Sequence, residues 1–256
     1  MLFTLKSCFK YVFKRQTKYG IHSPFVFDLL TKGLHRSIDQ SKWNLHQEYK
    51  QKLYQSEQII EVEDFGAGSR VFKSNQRKVK DIAKIAGMSR SKAKLIFRLA
   101  EYFGFISVLE LGTSLGIGTS VFKIALPDAQ ITTIEGCKNT QSIAEKYLKE
   151  FGFENINFVN GSFDKQLKPL LEKQDFELIY IDGHHTKQAT LDYFETIKSF
   201  VKNDTLLIFD DIHWSQEMTD AWDMINSDSK VTVSIDLFYI GLIFFKEELS
   251  KQHFIL

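Results

Sequence analysis

The feature that most constrains the fold is a regular alternation of short apolar runs and amphipathic segments of helix length from residue 106 onwards. The apolar runs are bounded by Gly, Asp or Asn and are apolar on both faces, which is typical of buried parallel strands. Helical patterns at 140–152 and 187–201 lie between them. The alternation predicts five strands, at 106–112, 131–136, 156–161, 176–183 and 205–211.

Five strand–helix units predict an α/β fold with a Rossmann-like, doubly wound sheet. Two more strand-like runs, 231–238 and 239–246, follow each other without an intervening segment. Such runs should pair antiparallel. We therefore expect a seven-stranded sheet with an antiparallel last strand and helices on both faces. It would form a domain over residues 91–256, preceded by a helical and irregular N-terminal extension over residues 1–90.

A glycine-rich turn follows the first predicted strand. Glu110, Gly112, Gly116 and Gly118 stand at the spacing E-x-G-x-x-x-G-x-G. Glycine permits tight turns and lets a ligand approach the backbone. The second strand ends at Glu135, where a carboxylate can accept hydrogen bonds from both hydroxyls of a ribose. The glycine-rich turn and Glu135 together predict a cofactor that contains a nucleoside. The other interpretation is that the glycines only allow the chain to turn and bind no ligand.

The spacing differs from the GxGxxG of NAD-binding proteins and resembles motif I of class I S-adenosylmethionine-dependent methyltransferases. Residues 134–136, 160–164, 180–185 and 209–214 resemble further motifs of that family in the same order. The resemblance covers about residues 91 to 246 and implies S-adenosylmethionine as cofactor. The cofactor-binding residues that it implies are Glu110, Gly112, Thr113, Ser114, Gly116, Gly118, Glu135, Gly136, Ser162, Phe163 and Asp182.

Within that family, the chain is most similar to the catechol and caffeoyl-CoA O-methyltransferase type, in which the ends of strands four and five hold a divalent metal. Asp182, Asp210 and Asp211 stand at the matching positions, followed by Trp214. Three carboxylates suit Mg²⁺ or another hard cation. Two positions depart from the type: Asp211 replaces an asparagine, and His185 replaces a lysine. Capping of the helix near Trp214 by the aspartates is the other interpretation.

Methyl transfer is an in-line displacement on a sulfonium carbon, and holding the reactants in line supplies much of the acceleration. Deprotonation of an acceptor hydroxyl makes it a better nucleophile, which is work for a metal, a general base or both. His185 could be that base, because the ordinary pKa of histidine is about 6.5. We therefore predict His185 and Asp182 as catalytic residues. Converging carboxylates repel one another unless a cation lies among them or one is protonated.

Residues 64–69, Asp-Phe-Gly-Ala-Gly-Ser, look like a second glycine-rich motif. The residues that follow are too polar for a buried helix, so we expect a loop that could form part of a lid over the active site. Residues 40–58 are also polar and predict either a loop or an exposed helix.

Residues 79–90 resemble the helix-turn-helix of a repressor, and residues 70–98 contain ten Lys or Arg and one acid. Both features suit contacts to DNA phosphates. However, the predicted second helix, at 91–103, continues almost directly into the first strand. We expect the DNA-binding resemblance to be incidental, with Leu95, Ile96 and Leu99 facing the sheet or the cofactor cleft.

Charge is unevenly distributed although the net charge is +1. Residues 1–100 contain 20 Lys and Arg against 8 Asp and Glu, whereas the remainder contains 13 against 24. This asymmetry fits a contact with a nucleic acid or a membrane, or two parts of one protein that attract each other, which we favour.

The N-terminal segment combines an apolar stripe with interleaved basic residues. Such a helix could lie on a membrane surface, but we expect it to dock on its own domain. The sequence contains no run of 18 apolar residues, so we expect no membrane-spanning helix. The segment also lacks the features of a signal peptide. The stripe consists of Leu2, Leu5, Phe9, Val12 and Phe13.

Only two cysteines are present, Cys8 and Cys137, which fits a reducing cytoplasm.

Taken together, these features predict a cytoplasmic O-methyltransferase that acts on a hydroxyl of a small-molecule acceptor and that could form a homodimer. RNA methylation is the alternative among enzymes. A nucleic-acid-binding protein with a ligand-sensing Rossmann domain is the alternative from another class. An intact cluster of the aspartates with His185 favours catalysis, whereas a basic face continuous with the cofactor cleft favours RNA.

Overall fold

The structure, a computed structural model, describes residues 2–63 and 74–256. The loop that we predict at 64–69 therefore lies outside the described residues. The helices are α1 (Leu2–Lys14), α2 (Pro24–Asp28), α3 (Gln40–Tyr54), α4 (Val79–Ile85), α5 (Arg90–Phe103), α6 (Ile117–Ala125), α7 (Lys138–Glu150), α8 (Phe163–Lys173), α9 (Lys187–Ile197) and α10 (Gln216–Ser227). The strands are β1 (Ile59–Glu61), β2 (Gln76–Lys78), β3 (Ser107–Leu111), β4 (Gln130–Glu135), β5 (Ile156–Asn160), β6 (Leu178–Ile181), β7 (Leu206–Asp210), β8 (Val233–Asp236), β9 (Ile240–Phe244) and β10 (Gln252–Ile255).

Eight strands form a mixed sheet in the order β10-β8-β9-β7-β6-β3-β4-β5. The prediction of a Rossmann-like α/β fold is confirmed, and β8 and β9 pair antiparallel as predicted. The predicted number of seven strands is one too few, because β10 pairs parallel with β8. This strand has only four residues, of which Phe254 alone is buried, so its sequence lacks the continuous apolar run of the inner strands.

The chain forms two compact units. The central unit, residues 29–166, contains the parallel ladder of β3, β4 and β5. The terminal unit, residues 1–28 and 167–256, contains the parallel pair β6 and β7, and β9, which pairs antiparallel with β7. The boundary that we predict at residue 90 separates an extension from a catalytic domain and stays a prediction.

The helix predicted as one alternative for residues 40–58 is present as α3. It is not an exposed helix, because one of its faces belongs to the core of the central unit. Asp39 begins the helix, because its side chain accepts hydrogen bonds from the backbone N–H groups of Ser41 and Lys42. One face then buries residues spaced three or four apart, which the polar residues between them obscure in the sequence. The buried residues are Trp43, His46, Tyr49, Lys50 and Leu53.

The segment that resembles a helix-turn-helix consists of α4 and α5. Ser89 caps α5 by accepting a hydrogen bond from the backbone N–H of Lys92. Ile96 and Leu99 are fully buried, Leu95 is half-buried, and the helix packs against α6. Burial of this face supports our expectation that the DNA-binding resemblance is incidental.

Helix α1 exposes three residues of its apolar stripe. Phe9, Val12 and Phe13 are 67%, 60% and 86% exposed, so the prediction that the stripe docks on the chain's own domain is wrong for these residues. The contact with the terminal unit is made instead by Tyr11. Its hydroxyl donates to the carbonyl of Leu256, and its ring centroid lies 5.3 Å from that of Phe238. In the described part of the chain, no helix is long and apolar enough to cross a membrane.

Candidate active site

The glycine-rich loop of the central unit connects β3 to α6 and is held against β4. The backbone N–H groups of Gly112 and Thr113 donate to the carbonyl of Ile134 at 3.0 and 3.2 Å. The hydroxyl oxygens of Thr113 and Thr133 lie 2.6 Å apart. These bonds fix the turn at the carboxyl end of β3, the edge where doubly wound folds bind their ligands.

Gly116 begins α6 in the left-handed region, at φ +73°. A Cβ atom there would lie 2.7 Å from the Tyr49 hydroxyl and 2.8 Å from Leu148 Cδ1. The fully buried Tyr49 in turn donates its hydroxyl to the carbonyl of Leu115 at 2.7 Å. Helix α3 thus fixes the loop through Tyr49. We did not predict this role, because the only signal in the sequence is the spacing of Tyr49 along a helix.

Glu110 lies below the loop and is only 1% exposed. Its carboxylate accepts hydrogen bonds from the hydroxyls of Thr119 and Thr133 at 2.5 and 2.7 Å. A Cβ atom on Gly118 would collide with Glu110 Oε1. We infer that Glu110 and Gly118 support the loop from beneath. They would then shape the cofactor site without contacting the cofactor themselves.

Glu135 ends β4 beside the loop. Its Oε2 accepts from the backbone N–H of Ser114 at 2.8 Å and its Oε1 from that of Cys137 at 2.9 Å. Burial raises the pKa of Glu135, although the backbone N–H groups act in the opposite direction. Each carboxylate oxygen can accept a further hydrogen bond, so the group fits the two hydroxyls of a ribose. Asn160 also donates to the carbonyls of Glu135 and Gly136, at 2.8 and 3.2 Å.

The segment that follows Glu135 is contacted by β1, which leads into the predicted lid. The side chain of Asn139 donates to the carbonyl of Glu61 at 2.8 Å, and the backbone N–H of Glu63 lies 3.4 Å from Cys137 Sγ. Further along α7, Gln141 is 1% exposed, and its amide group has no hydrogen-bond partner among the described residues. Buried amides normally have partners, so this end of β4 fits a polar ligand.

Ser162 and Phe163, predicted on the adenine side, stand where β5 passes into α8. The carbonyl of Ser162 accepts from the backbone N–H groups of Lys165 and Gln166, both at 3.1 Å, and Phe163 is buried. Their position at the carboxyl end of β5 is consistent with the role that the family resemblance implies.

A second cluster belongs to the terminal unit, at the ends of β6 and β7. His185 Nε2 lies 3.4 Å from Asp182 Oδ1, while Asp182 Oδ2 accepts from the Tyr180 hydroxyl at 3.2 Å. Burial lowers the pKa of His185, but its hydrogen bond to Asp182 and the charges of Asp182, Asp211 and Asp210 outweigh burial and raise it. The negative charges of the three carboxylates thus favour the protonated form of the imidazole.

The loops of this cluster have unusual backbone conformations. His184, His185 and Asp211 have positive φ values of +61°, +44° and +53°. Such conformations cost energy in residues other than glycine and persist where surrounding contacts enforce them, often at functional sites. The contacts include a hydrogen bond between His184 Nδ1 and the Tyr193 hydroxyl. The ring centroid of Trp214 lies 5.7 Å from that of His185.

Neither interpretation of the aspartate cluster as a metal site or a helix cap is supported. Helix α10 is capped by Ser215, which accepts from the backbone N–H of Met218, so capping by Asp210 or Asp211 is wrong. Within residues 2–63 and 74–256, no group of three or more His, Cys, Asp or Glu side chains is arranged to hold a metal ion. A metal bound by Asp182, Asp210 and Asp211 therefore stays a prediction.

A second histidine–aspartate pair was missed by the sequence analysis. His213 Nε2 lies 2.7 Å from Asp236 Oδ2, and both side chains are largely buried. The ring of His213 also stacks on Phe238 at 5.4 Å. The pair joins the end of β7 to the end of β8, and its two residues are too far apart in sequence to form a motif.

The comparisons with known proteins agree with this geometry. A sequence family described as "Methyltransferase domain" matches residues 109–212, the span from β3 to just beyond β7. The methyltransferase PaMTH1 of Podospora anserina, solved with S-adenosylhomocysteine, is 15% identical, covering 87% of this chain and 94% of that one at a TM-score of 0.60. A candidate caffeoyl-CoA O-methyltransferase from Staphylococcus aureus is 17% identical, covering 81% and 100% at 0.56.

A similarity to one curated protein is confined to a short region. Over 83 residues, the chain is 29% identical to the ribosomal RNA small subunit methyltransferase G of Brevibacillus brevis. The match covers 31% of this chain and 35% of that relative, so it spans only about a third of that relative's length.

Proposed function

We propose that this chain, a class I methyltransferase, transfers the methyl group of S-adenosylmethionine to a hydroxyl oxygen of a small molecule. The observation that carries the acceptor chemistry is the pairing of His185 with Asp182, at 3.4 Å. A neutral hydroxyl is a weak nucleophile and gains from a base that removes its proton. The raised pKa of His185 makes the imidazole a stronger base than a free histidine.

S-adenosylmethionine, when bound, supplies an electrophilic methyl group on a sulfonium sulfur. Glu135 would hold the two ribose hydroxyls, and the backbone of the Gly112–Gly116 loop would contact the rest of the cofactor. In the reaction, the acceptor oxygen forms a bond to the methyl carbon while the carbon–sulfur bond breaks. His185 takes the hydroxyl proton, and Asp182 stabilises the imidazolium that results.

A divalent cation is the other means of activating the acceptor. We favour the imidazole because His185 Nε2 already lies 3.4 Å from Asp182 Oδ1, one of the oxygens that would bind the cation. A metal requirement stays a prediction that chelation can test.

RNA is the second candidate acceptor, suggested by the similarity to a ribosomal RNA methyltransferase and by the basic segment 70–98. Several cations of that segment already have partners. Lys78 and Lys80 both bond to Glu57, while Arg77 and Lys92 are buried. Fewer basic side chains are therefore placed to bind phosphates than the sequence suggests, which favours a small molecule.

The acceptor class can be tested with radiolabelled S-adenosylmethionine. We expect label to enter phenolic or sugar hydroxyls of a small-molecule panel and not to enter small ribosomal subunits or their RNA. Label recovered mainly in acid-insoluble RNA would reject the small-molecule proposal in favour of RNA. Label in amine rather than hydroxyl acceptors would keep the methyltransferase and reject the oxygen nucleophile.

Glu135→Ala should weaken the binding of S-adenosylmethionine by about 1.5–3 kcal/mol, the range for hydrogen bonds to a charged group. This loss corresponds to an affinity lower by roughly 10- to 150-fold. Titration calorimetry would measure it, with the exposed Glu154→Ala of the same unit as a control for lost charge. Equal affinities of the two variants would show that Glu135 does not hold the cofactor.

The pH dependence of kcat should show a limb on the acid side that reports His185. Because the neutral imidazole is the base, activity should rise as pH rises through a pKa above the ordinary value of about 6.5. Asp182→Asn removes the hydrogen-bonded charge that opposes burial, so this midpoint should move to lower pH. Profiles of both proteins, with the exposed Asp192→Asn as control, would measure the shift. An unchanged midpoint in Asp182→Asn would contradict the assignment.

A further inference from the structure

The N-terminal helix carries an exposed apolar surface in a strongly basic setting. Phe9, Val12 and Phe13 of α1 stand at i, i+3 and i+4 and are between 60% and 86% exposed, and Tyr19 beyond the helix is 83% exposed. No acidic residue occurs before Asp28. The basic residues of this stretch are Lys6, Lys10, Lys14, Arg15 and Lys18.

The orientation of α1 is the reverse of that of a helix packed on a globular core. A core-facing helix buries its apolar stripe and exposes its polar face. Here Tyr11 and Ser7 face a polar cavity of about 600 Å³ that His213 and Asp236 also border. Phe9, Val12 and Phe13 lie on the opposite side of the helix, in solvent.

We propose that α1 is an interfacial helix that binds the surface of an anionic lipid bilayer. Its outward apolar face would enter the boundary between headgroups and acyl chains, which is how basic amphipathic helices bind membranes. Lys10 and Arg15, both exposed, stand on either side of that face and would meet lipid phosphates. The helix has 13 residues and would lie on the surface without crossing it.

Charge decides between the lipid surface and other occupants. A second copy of α1 on the same face would bring two sets of cations together without an acid among residues 1–27 of either copy, so the contact would be repulsive. A nucleic-acid duplex would match the charge but would leave Phe9, Val12 and Phe13 exposed, since its bases are stacked inside the helix and its phosphates are not partners for apolar side chains. An anionic bilayer satisfies both the charge and the apolar face.

Vesicle sedimentation tests the proposal with the full chain. The protein should sediment with phosphatidylcholine vesicles that contain about 30% phosphatidylglycerol, and less with pure phosphatidylcholine or at high salt. The double variant Phe9→Ser and Phe13→Ser should bind at least about tenfold more weakly, because bilayer affinity scales with buried apolar area. Ile106→Ser, which removes a side chain that is 68% exposed elsewhere, should bind like the unaltered protein.

Three outcomes would overturn the proposal: equal binding by the double variant, equal loss in Ile106→Ser, or a dimer that the double variant dissociates while neither form binds vesicles. Circular dichroism and S-adenosylmethionine affinity should be unchanged in the double variant, which separates lost docking from lost folding. The result does not depend on the acceptor assigned to the enzyme.

Discussion

His185→Gln should lower kcat by about 10²- to 10⁴-fold, the contribution of a positioned general base. The affinity for S-adenosylmethionine should change little, because the residues proposed to hold the cofactor's ribose and backbone contacts belong to the central unit and His185 to the terminal unit. Glutamine keeps a side chain of similar size and can donate a hydrogen bond to Asp182, but it cannot take up the hydroxyl proton. Initial rates at saturating cofactor, with affinity from calorimetry, would measure both effects.

Two controls make the interpretation specific. His22→Gln alters an exposed histidine of the same unit and should leave kcat unchanged. Excess EDTA should also leave the unaltered enzyme active, if the imidazole and not a metal activates the acceptor. Activity that EDTA abolishes and Mg²⁺ restores, together with an active His185→Gln, would reverse the roles of base and metal.

The inner strands of the large sheet could be predicted because each is recorded locally in the sequence, unlike the four-residue β10. The runs that became β3, β4 and β7 are short, mostly apolar on both faces and end in glycine or an acid, which is typical of buried parallel strands. Because parallel strands end at a common edge, the strand ends also predicted that Asp182, Asp210 and Asp211 converge with His185 beside them. The contact of His185 with Asp182 is observed, at 3.4 Å, and the convergence of the three aspartates stays a prediction.

What could not be predicted depends on contacts between residues distant in sequence. Tyr49 reaches the carbonyl of Leu115 across 66 positions, and His213 reaches Asp236 across 23. The outward orientation of Phe13 has a related cause. Periodicity shows that α1 has an apolar side, but which side faces the protein is decided by partners such as Tyr11 and Phe238, which no local pattern reveals.

The glycine-rich loop provides a sharp test of how closely it is packed. Gly116 and Gly152 have nearly the same backbone conformation, at φ +73° and +72°. A Cβ atom on Gly116 would meet the Tyr49 hydroxyl at 2.7 Å, whereas nothing lies within 4 Å of one on Gly152. The two glycines therefore separate the cost of a strained backbone from the cost of a collision.

Gly152→Ala should cost about 1–2 kcal/mol of unfolding free energy, the cost of a left-handed conformation in an L-residue. Gly116→Ala should cost about 2–5 kcal/mol, because overpacking adds to the same strain. It should also weaken S-adenosylmethionine binding, since the loop must shift to admit the methyl group. Urea unfolding and calorimetry would measure these effects.

Removing the Tyr49 hydroxyl provides the decisive comparison. In a Tyr49→Phe background, the nearest atom to the added methyl group is absent, so Gly116→Ala should cost less there than in the unaltered protein. The coupling between the two substitutions, obtained from the four proteins of a double-mutant cycle, should be about 0.5–3 kcal/mol. Because Leu148 Cδ1 also lies 2.8 Å from the added atom, the rescue should be partial. Equal costs at Gly116 and Gly152, or costs that simply add with Tyr49→Phe, would show that the loop is not held by this contact.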